Sequence, residues 1–206
     1  FDLSAHECGH NWSATHCCAG TTMNAGLTCA NNFAQQSIDQ IVAHRNSRTC
    51  LDPALTTLNL PFFDDFPNLT LDSTKWSASG AAPSTVGNGE PSAPNSLRIR
   101  GTQSIFSAPL DTDSVTSLTV SYWWQRTGNG NSPEDGEDLY VEYRNNTGSW
   151  ISLATHPGAG IDTAPYQFES FVLADPGAYH SNFAIRFRNP DGEGGQDDFF
   201  VDDVSV

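Results

Sequence analysis

From Pro61 to Val206 the sequence repeats one pattern, in which short runs of alternating apolar and polar residues are separated by clusters of Gly, Pro, Asn and Asp. A period of two is typical of strands that bury one face, and turn-forming residues between such runs favour antiparallel connections. The pattern therefore predicts an antiparallel β-sandwich or jelly roll. The runs are SLRIRG (96–101), SIFSAPL (104–110), SLTVSYWWQR (117–126), EDLYVEYR (137–144), SWISLATH (149–156), YQFESFVL (166–173), FAIRFRN (183–189) and DDFFVDDVSV (197–206).

The aromatic residues of these runs bear on both the core and the surface. In SYWWQR, alternation places Tyr122 and Trp124 on one side of the strand and Trp123 on the other. Exposed aromatic rings could grip carbohydrate, but we interpret Trp123, Trp124 and Trp150 as core residues. Two histidines of this region, His156 and His180, are interpreted as surface loop residues.

The chain has 206 residues, with 9 Lys and Arg against 24 Asp and Glu and a formal charge of −15. Such acidity argues against nucleic acid as a partner, because few groups are available to neutralise phosphates. It leaves many carboxylates that could bind a hard cation such as Ca²⁺. No apolar run of about 18 residues is present, so no membrane span is expected.

The first fifty residues differ chemically from the rest. They contain all of the cysteines, which indicates disulfides and hence a secreted or extracellular protein. Their number is odd and their pairing is not deducible from the sequence. We predict three segments: a first domain over residues 1–52, a linker over 53–60 and the β-sandwich over 61–206. The cysteines are Cys8, Cys17, Cys18, Cys29 and Cys50.

The segment HECGHNWSATH (6–16) contains candidate metal ligands. Residues four apart lie on one face of a helix, so His6 and His10 could bind a single ion while Glu7 reaches a water molecule on it. If the helix ends near Trp12, the chain could turn and bring His16 to the same ion. Three histidines and an open fourth position are the donor set of a catalytic zinc site.

These residues resemble the metzincin metallopeptidases, and within them the reprolysin-like (adamalysin-type) branch. His6, Glu7, His10 and His16 fall on the family pattern, and Met23 in TTMNAG lies where its Met-turn is expected. The resemblance implies that zinc is the cofactor, that Glu7 is the general base acting on a zinc-bound water, and that Met23 packs beneath the histidines.

The same resemblance extends to a closing helix over residues 37–52, for which Ser37 is a plausible N-cap and Ile38, Ile41 and Val42 form an apolar stripe. His44 is interpreted as a helix-end residue favourable to the helix dipole.

Two positions depart from the family pattern: Ser13 replaces the turn glycine and Cys17 follows the third histidine. The family's upper subdomain would precede His6. We therefore expect a fragment with an upstream part missing and with poor activity by itself.

Residues 61–206 resemble a MAM-type jelly roll and, similarly, the sandwiches of reelin repeats. The resemblance is carried by FFDDF (62–66), Trp76, SYWWQR and FFVDDVSV (199–206), although the cysteines of vertebrate MAM domains are missing. Such a fold can bring its first and last strands together. Opposed carboxylates then favour a bound Ca²⁺, although acidic turns are more commonly just solvated. The candidate ligands are Asp64, Asp65, Asp202 and Asp203, with Glu90 and Asp138 as further candidates.

Two glycine-rich acidic loops, 129–138 and 189–198, could contribute to cation binding or could equally be disordered surface, flexible because of their glycine and charge. On the strand 183–189, Arg186 and Arg188 share one face. They either offset nearby acid or line a binding surface.

The sequence supports two functional hypotheses. The first is a zinc-dependent metalloendopeptidase that hydrolyses a protein or peptide substrate, with an accessory β-sandwich. The second is a non-catalytic extracellular binding or adhesion protein. In the second, a calcium-binding β-sandwich recognises a cell-surface or extracellular matrix protein or a glycan.

Overall fold

The structure is a computed structural model, and it describes residues 15, 33–46, 56–161, 165–192 and 196–206. The chain divides into two compact units, Phe1–Ala54 and Leu55–Val206. Much of the first unit lies outside the described residues, as do all five cysteines. Along the described part of the chain, no helix has both the length and the apolar character needed to cross a membrane.

In the first unit, helix α1 spans Gln35–Asn46. The prediction of Ser37 as the N-cap is wrong, because the Ile38 amide already donates to the Ala34 carbonyl (3.0 Å) and Ser37 is a buried residue inside the helix. The predicted apolar stripe is incompletely covered, since Ile38 and Val42 are exposed. His44 lies in the last turn of α1, but its side chain lies outside the described residues.

The second unit is a sandwich of two β-sheets. The five-stranded sheet has the order β10 (Trp150–His156), β9 (Leu139–Arg144), β12 (Ala184–Arg188), β6 (Ser104–Ser107) and β3 (Trp76–Ser79). The six-stranded sheet has β11 (Gln167–Leu173), β8 (Leu118–Arg126), β13 (Asp198–Ser205), β5 (Ser96–Arg100) and β4 (Ala82–Ser84) in one row, with β2 (Phe63–Asp64) paired to β13. A two-residue parallel pair joins β1 (Leu58–Asn59) and β7 (Leu110–Asp111).

The predicted antiparallel β-sandwich is confirmed, because every sequence run with alternating polarity contains a strand, and the pairs within both sheets are antiparallel. The helical and loop subdomain predicted for residues 1–52 is represented among the described residues by α1 alone. Residues Leu58–Asn59, which we predicted to be linker, form strand β1.

The core lies between the two sheets and comes from the inward-facing residues of both. Tyr122 and Trp124 of β8 are buried while Trp123 is half-buried, so the predicted alternation is confirmed. The interpretation of all three candidate tryptophans as core is wrong: Trp124 is buried, but Trp123 and Trp150 lie on outer sheet faces. Successive residues of a strand point to opposite sides of its sheet, and only one side can be buried in the sandwich.

The first and last strands of the sandwich lie side by side, as the sequence predicted. Val204 pairs with Asp64 in the β2–β13 ladder. Just before and after these strands, the backbones of Phe62 and Val206 exchange two N–H···O bonds of 2.9 Å each. A cluster of aromatic rings lies near this junction, where the ring of Trp76 contacts those of Phe62 and Phe66 at centroid distances of 5.4 and 5.8 Å.

Candidate functional site

The outer face of the five-stranded sheet carries an ordered group of aromatic and charged side chains. Tyr140 and Glu142 of β9 point outward with Arg186 and Arg188 of β12, because the register pairs Glu142 with Arg186 and Tyr140 with Arg188. Trp150, at the start of edge strand β10, completes the group. We call these five residues the aromatic–arginine face.

Two guanidinium groups share the one carboxylate of this face. Arg186 Nε donates to Glu142 Oε2 at 2.8 Å, and Arg188 donates through Nε to Oε2 (2.8 Å) and through Nη2 to Oε1 (3.2 Å). Each guanidinium also lies over an aromatic ring: Arg186 Cζ is 4.2 Å from the ring centroid of Trp150, and Arg188 Cζ is 4.9 Å from that of Tyr140. Such cation–π contacts fix the arginine planes and leave the rings in ordered positions.

The surroundings of Glu142 and Arg188 favour the charged form of each. Burial raises the pKa of Glu142, but hydrogen bonds from Arg188 and Arg186 and their positive charges outweigh burial and hold that pKa below its ordinary value. The hydrogen bond to Glu142 is the main cause that raises the pKa of Arg188, and the charge of Asp191 acts in the same direction. At neutral pH, Glu142 is therefore an anion between two cations.

Hydroxyl groups and one exposed ring extend the face across the sheet. Phe106 of β6 pairs with Arg186 and with Ser77 of β3, and its ring is 38% exposed. On the other side, Ser152 and Thr155 of β10 lie opposite Glu142 and Tyr140 and are exposed. The result is a broad surface of rings, planar donors and hydroxyls built on regular strands.

A second exposed feature, the β8–β11 apolar patch, lies on the outer face of the six-stranded sheet. It consists of Trp123, Phe168 and Val172. The rings of Trp123 and Phe168 are 5.2 Å apart between centroids, and Phe168 and Val172 are 53% and 71% exposed. It has no charged side chain of its own, so it differs in chemistry from the aromatic–arginine face.

Asp64, a predicted calcium ligand, is buried and already bonded to protein groups. Its Oδ2 accepts from Trp76 Nε1 at 2.8 Å, its Oδ1 accepts from the Phe66 amide at 2.9 Å, and Lys75 Nζ lies 3.6 Å from Oδ2. These contacts give Asp64 a structural role at the junction of the first and last strands. Its neighbour Asp65 is half-buried.

Asp202 and Asp203 lie on β13 close to Ser92. The Ser92 amide donates to Asp202 Oδ2 at 3.0 Å, and the Ser92 hydroxyl donates to Asp203 Oδ1 at 2.6 Å. Burial, reinforced by the charges of Asp203 and Asp65, raises the pKa of Asp202 to about 7. Although the four predicted calcium ligands lie in one region, no three of them bring ligand atoms within 4.8 Å of one another.

Among the described residues, the group of acidic ligand atoms that does meet this distance is Glu134, Glu137 and Asp197. Glu137 and Asp197 are buried, and the Glu134 amide donates to Glu137 Oε2 at 2.6 Å. Sequence reasoning singled out both loops that carry these residues, 129–138 and 189–198, but not their meeting. Of the two further calcium candidates, Asp138 accepts a hydrogen bond from the Gly158 amide (3.0 Å). Glu90 lies near Tyr166, where burial raises the pKa of the phenol and the charge of Glu90 acts in the same direction.

The prediction of a surface loop residue is wrong for His156, whereas His180 does lie in a loop and is partly exposed. His156 is buried at the end of β10, its ring stacks on Trp124 at 4.0 Å between centroids, and its Nε2 is hydrogen-bonded to the Tyr122 hydroxyl at 2.8 Å. Burial lowers the pKa of His156 to about 4. His180 is half-buried and its Nε2 is hydrogen-bonded to the Arg144 carbonyl at 3.1 Å.

No family model matches the chain, and no curated protein matches it in sequence. Solved structures do match. The K1 cleaved adhesin domain of Lys-gingipain from Porphyromonas gingivalis W83 is 11% identical with a TM-score of 0.51, and the match covers 70% of this chain and 96% of that chain. The CBM22-1 xylan-binding domain of Paenibacillus barcinonensis Xyn10C is 14% identical with a TM-score of 0.47, over 73% of this chain and 95% of that one. The C-terminal family 22 carbohydrate-binding module of Clostridium thermocellum Xyn10B is 12% identical with a TM-score of 0.45, over 70% and 90%. The likeness to the adhesin domain shows a shared β-sandwich fold.

These findings correct the interpretation of the chain as a metallopeptidase. The described residues form a β-sandwich and one helix, this sandwich shares its fold with an adhesin domain, and no family model, whether of a peptidase or of a MAM domain, matches the chain. The prediction of a metzincin-type enzyme that acts on a protein or peptide substrate is therefore wrong. The residues that suggested it lie outside the described residues, so zinc binding by them stays an untested prediction; they are His6, Glu7, His10, His16 and Met23.

Proposed function

We propose that the β-sandwich is a non-catalytic extracellular binding module and that its aromatic–arginine face binds glycans. The observation that carries this proposal is the pair of aromatic rings, Trp150 and Tyr140, each held against a guanidinium that Glu142 anchors.

The chemistry of the face suits a sugar. The C–H face of a pyranose ring is apolar and packs against an aromatic ring, while its hydroxyls need hydrogen-bond partners around the edge. Arg186 and Arg188 present planar donors beside the rings, and Ser152 and Thr155 add hydroxyl groups. Sugar recognition requires this combination of flat apolar area and directional polar groups.

Preorganisation adds to the argument. Free arginine side chains lose rotamer entropy when they bind a ligand, and this loss weakens affinity. Here Glu142 and the two rings already fix both guanidinium planes, and regular strands support all five residues. The shared fold with an adhesin domain supports a binding role, and the cysteine-rich first unit supports an extracellular location.

The test is binding of the whole chain to a panel of soluble polysaccharides by affinity gel electrophoresis, followed by calorimetry on those that bind. Trp150→Ala is expected to weaken binding at least about tenfold, since truncation of an aromatic hot-spot residue costs about 2 kcal/mol or more. The matched control is Phe168→Ala, which removes an exposed ring from the outer face of the other sheet. Thermal unfolding of both variants checks that they fold.

The same pair of variants tests a second candidate function. The exposure of Phe168 and Val172 favours adhesion to a protein surface through the β8–β11 apolar patch. If Phe168→Ala removes binding and Trp150→Ala does not, the apolar patch is the site and the assignment to the aromatic–arginine face is overturned. Absence of binding to every polysaccharide would refute the glycan proposal itself.

A further inference from the structure

We infer that the glycan bound by the aromatic–arginine face is acidic and carries carboxylates, as in a polymer of uronic acids. The inference rests on the proposed function and specifies its ligand. It follows from the distribution of charge between the two sheets and from the geometry around Glu142.

The strands of the five-stranded sheet have a charge opposite to that of the whole chain. They contain three basic residues, Arg144, Arg186 and Arg188, and one acidic residue, Glu142, whereas the chain as a whole has a formal charge of −15. All four side chains point outward on the two central strands β9 and β12. The charge of Asp191, just beyond β12, acts on Arg188 and offsets part of this excess.

The hydrogen bonds show where this positive charge is left uncompensated. Glu142 Oε2 accepts from both Arg186 and Arg188, so one carboxylate balances two guanidinium groups. Arg144 donates through Nε and Nη2 to the Asn182 carbonyl, at 2.9 and 2.7 Å, rather than to a carboxylate. A carbonyl oxygen satisfies the donors without neutralising the charge.

The cations are also partly removed from water. The side chains of Arg186 and Arg188 are 22% and 30% exposed. Glu142 is one carboxylate shared by two guanidinium groups, and an incoming carboxylate would bring the ratio of carboxylates to guanidinium groups to one to one. A neutral sugar would fill the aromatic surface but leave the excess charge as it is.

The net charge of the chain separates binding at a local basic site from non-specific attraction of a polyanion. A protein with a formal charge of −15 repels a polyanion at long range, so non-specific attraction is not expected. Charges farther than about 8 Å are largely screened at physiological ionic strength, and only the local excess then acts on a bound sugar. Binding of an acidic polymer therefore requires a local basic site.

The experiment compares two forms of one polymer. Polygalacturonate and its fully methyl-esterified counterpart share a backbone and differ in the charge at each carboxyl group. At 0.15 M salt, we expect the whole chain to bind the de-esterified form about tenfold or more tightly than the ester, the size of one charge-assisted hydrogen bond. Arg188→Gln leaves Glu142 paired with Arg186 and is expected to abolish that ratio, while Lys75→Gln, which removes one charge elsewhere in the sandwich, retains it.

Each alternative result has a defined meaning. Equal affinity for the two forms, both sensitive to Trp150→Ala, overturns the inference and leaves the proposed glycan-binding function standing. Binding of neither form overturns the inference, and the panel of neutral polysaccharides then decides the proposed function separately. If dextran sulfate binds as tightly as polygalacturonate and depends equally on Arg188, the site recognises anions in general, and the assignment to carboxylates is wrong.

Discussion

Replacement of His156 by glutamine tests whether burial of this histidine in the sandwich core makes the stability of the protein depend on pH. Glutamine is close in length to histidine and can keep a hydrogen bond to the Tyr122 hydroxyl, but it does not titrate. In the native protein His156 is buried and stacked on Trp124, and burial lowers its pKa to about 4. In the unfolded chain its pKa is that of an ordinary histidine, about 6.5.

The sign follows from these two pKa values. As the pH falls below 6.5, the unfolded chain takes up a proton at His156 while the native protein does not, so stability is lost between about pH 6.5 and 4. Integration over the two titrations gives a loss of about 2 kcal/mol between pH 7 and pH 5. The quantity to measure is the free energy of unfolding of the wild type minus that of His156→Gln, which is expected to fall by this amount.

The wild type and His156→Gln must be compared, because Asp202 changes the stability of both with pH in the direction opposite to His156. Its pKa is raised to about 7, so its contribution to stability is present below about pH 4 and is lost as the pH rises through 7. Asp202 pairs with Trp123 on the outer face of the six-stranded sheet, and His156 lies in the core, so both variants share the Asp202 contribution.

Urea unfolding, followed by tryptophan fluorescence at pH 5, 6 and 7 in EDTA, gives both free energies. The shift of the His156 ring proton in NMR spectra gives its native pKa directly. A difference in stability that stays constant over this pH range, or a native pKa near 6.5, would refute the argument that burial controls the protonation of His156.

Two further predictions concern the aspartates near the strand junction. Asp202→Asn removes the titration of the Asp202 carboxyl group. Relative to this variant, the wild type is expected to lose about 2 kcal/mol of stability as the pH rises from 5 to 7, measured by urea unfolding in EDTA. An equal dependence of stability on pH in the two proteins would contradict this prediction. Asp64→Asn sets an amide donor against the Trp76 indole N–H and is expected to cost about 2 kcal/mol, with the half-buried neighbour variant Asp65→Asn as control. Equal stability of the Asp64 and Asp65 variants would contradict the structural role of Asp64.

The local alternation of polarity was enough to locate strands β5, β6 and β8 to β13 and the orientation of β8, but it located none of β1 to β4. The resemblance to a jelly roll, and not the alternation, implied that the first and last strands can lie together, as β2 and β13 do. Less of the candidate site could be predicted from the sequence. Arg186 and Arg188 were recognised as sharing one strand face, but the sequence left open whether they offset acid or bind a ligand. The part that Glu142 and Tyr140 play in the site could be recognised only from the sheet order, which places β9 beside β12.

The edge strand β10 shows why alternation along the sequence does not give the correct sheet faces of Trp150 and His156. In an unbroken strand these two residues would face the same side, since an even number of positions separates them. The pairing of β10 with β9 shifts register between Ser152 and Ala154, so Trp150 lies opposite Arg144 on the outer face while His156 lies opposite Leu139 in the core. Such a bulge inserts one residue and reverses the side on which all following residues lie.

The amino-acid sequence by itself determined most of the strands from β5 onward and which of their residues are apolar, because alternation is a property of neighbouring residues. Tertiary structure alone decided which strands are adjacent, where the register shifts, and that the acidic loops 129–138 and 189–198 meet. These features depend on contacts between residues far apart in the chain, and their energies arise only when the two sheets pack against each other.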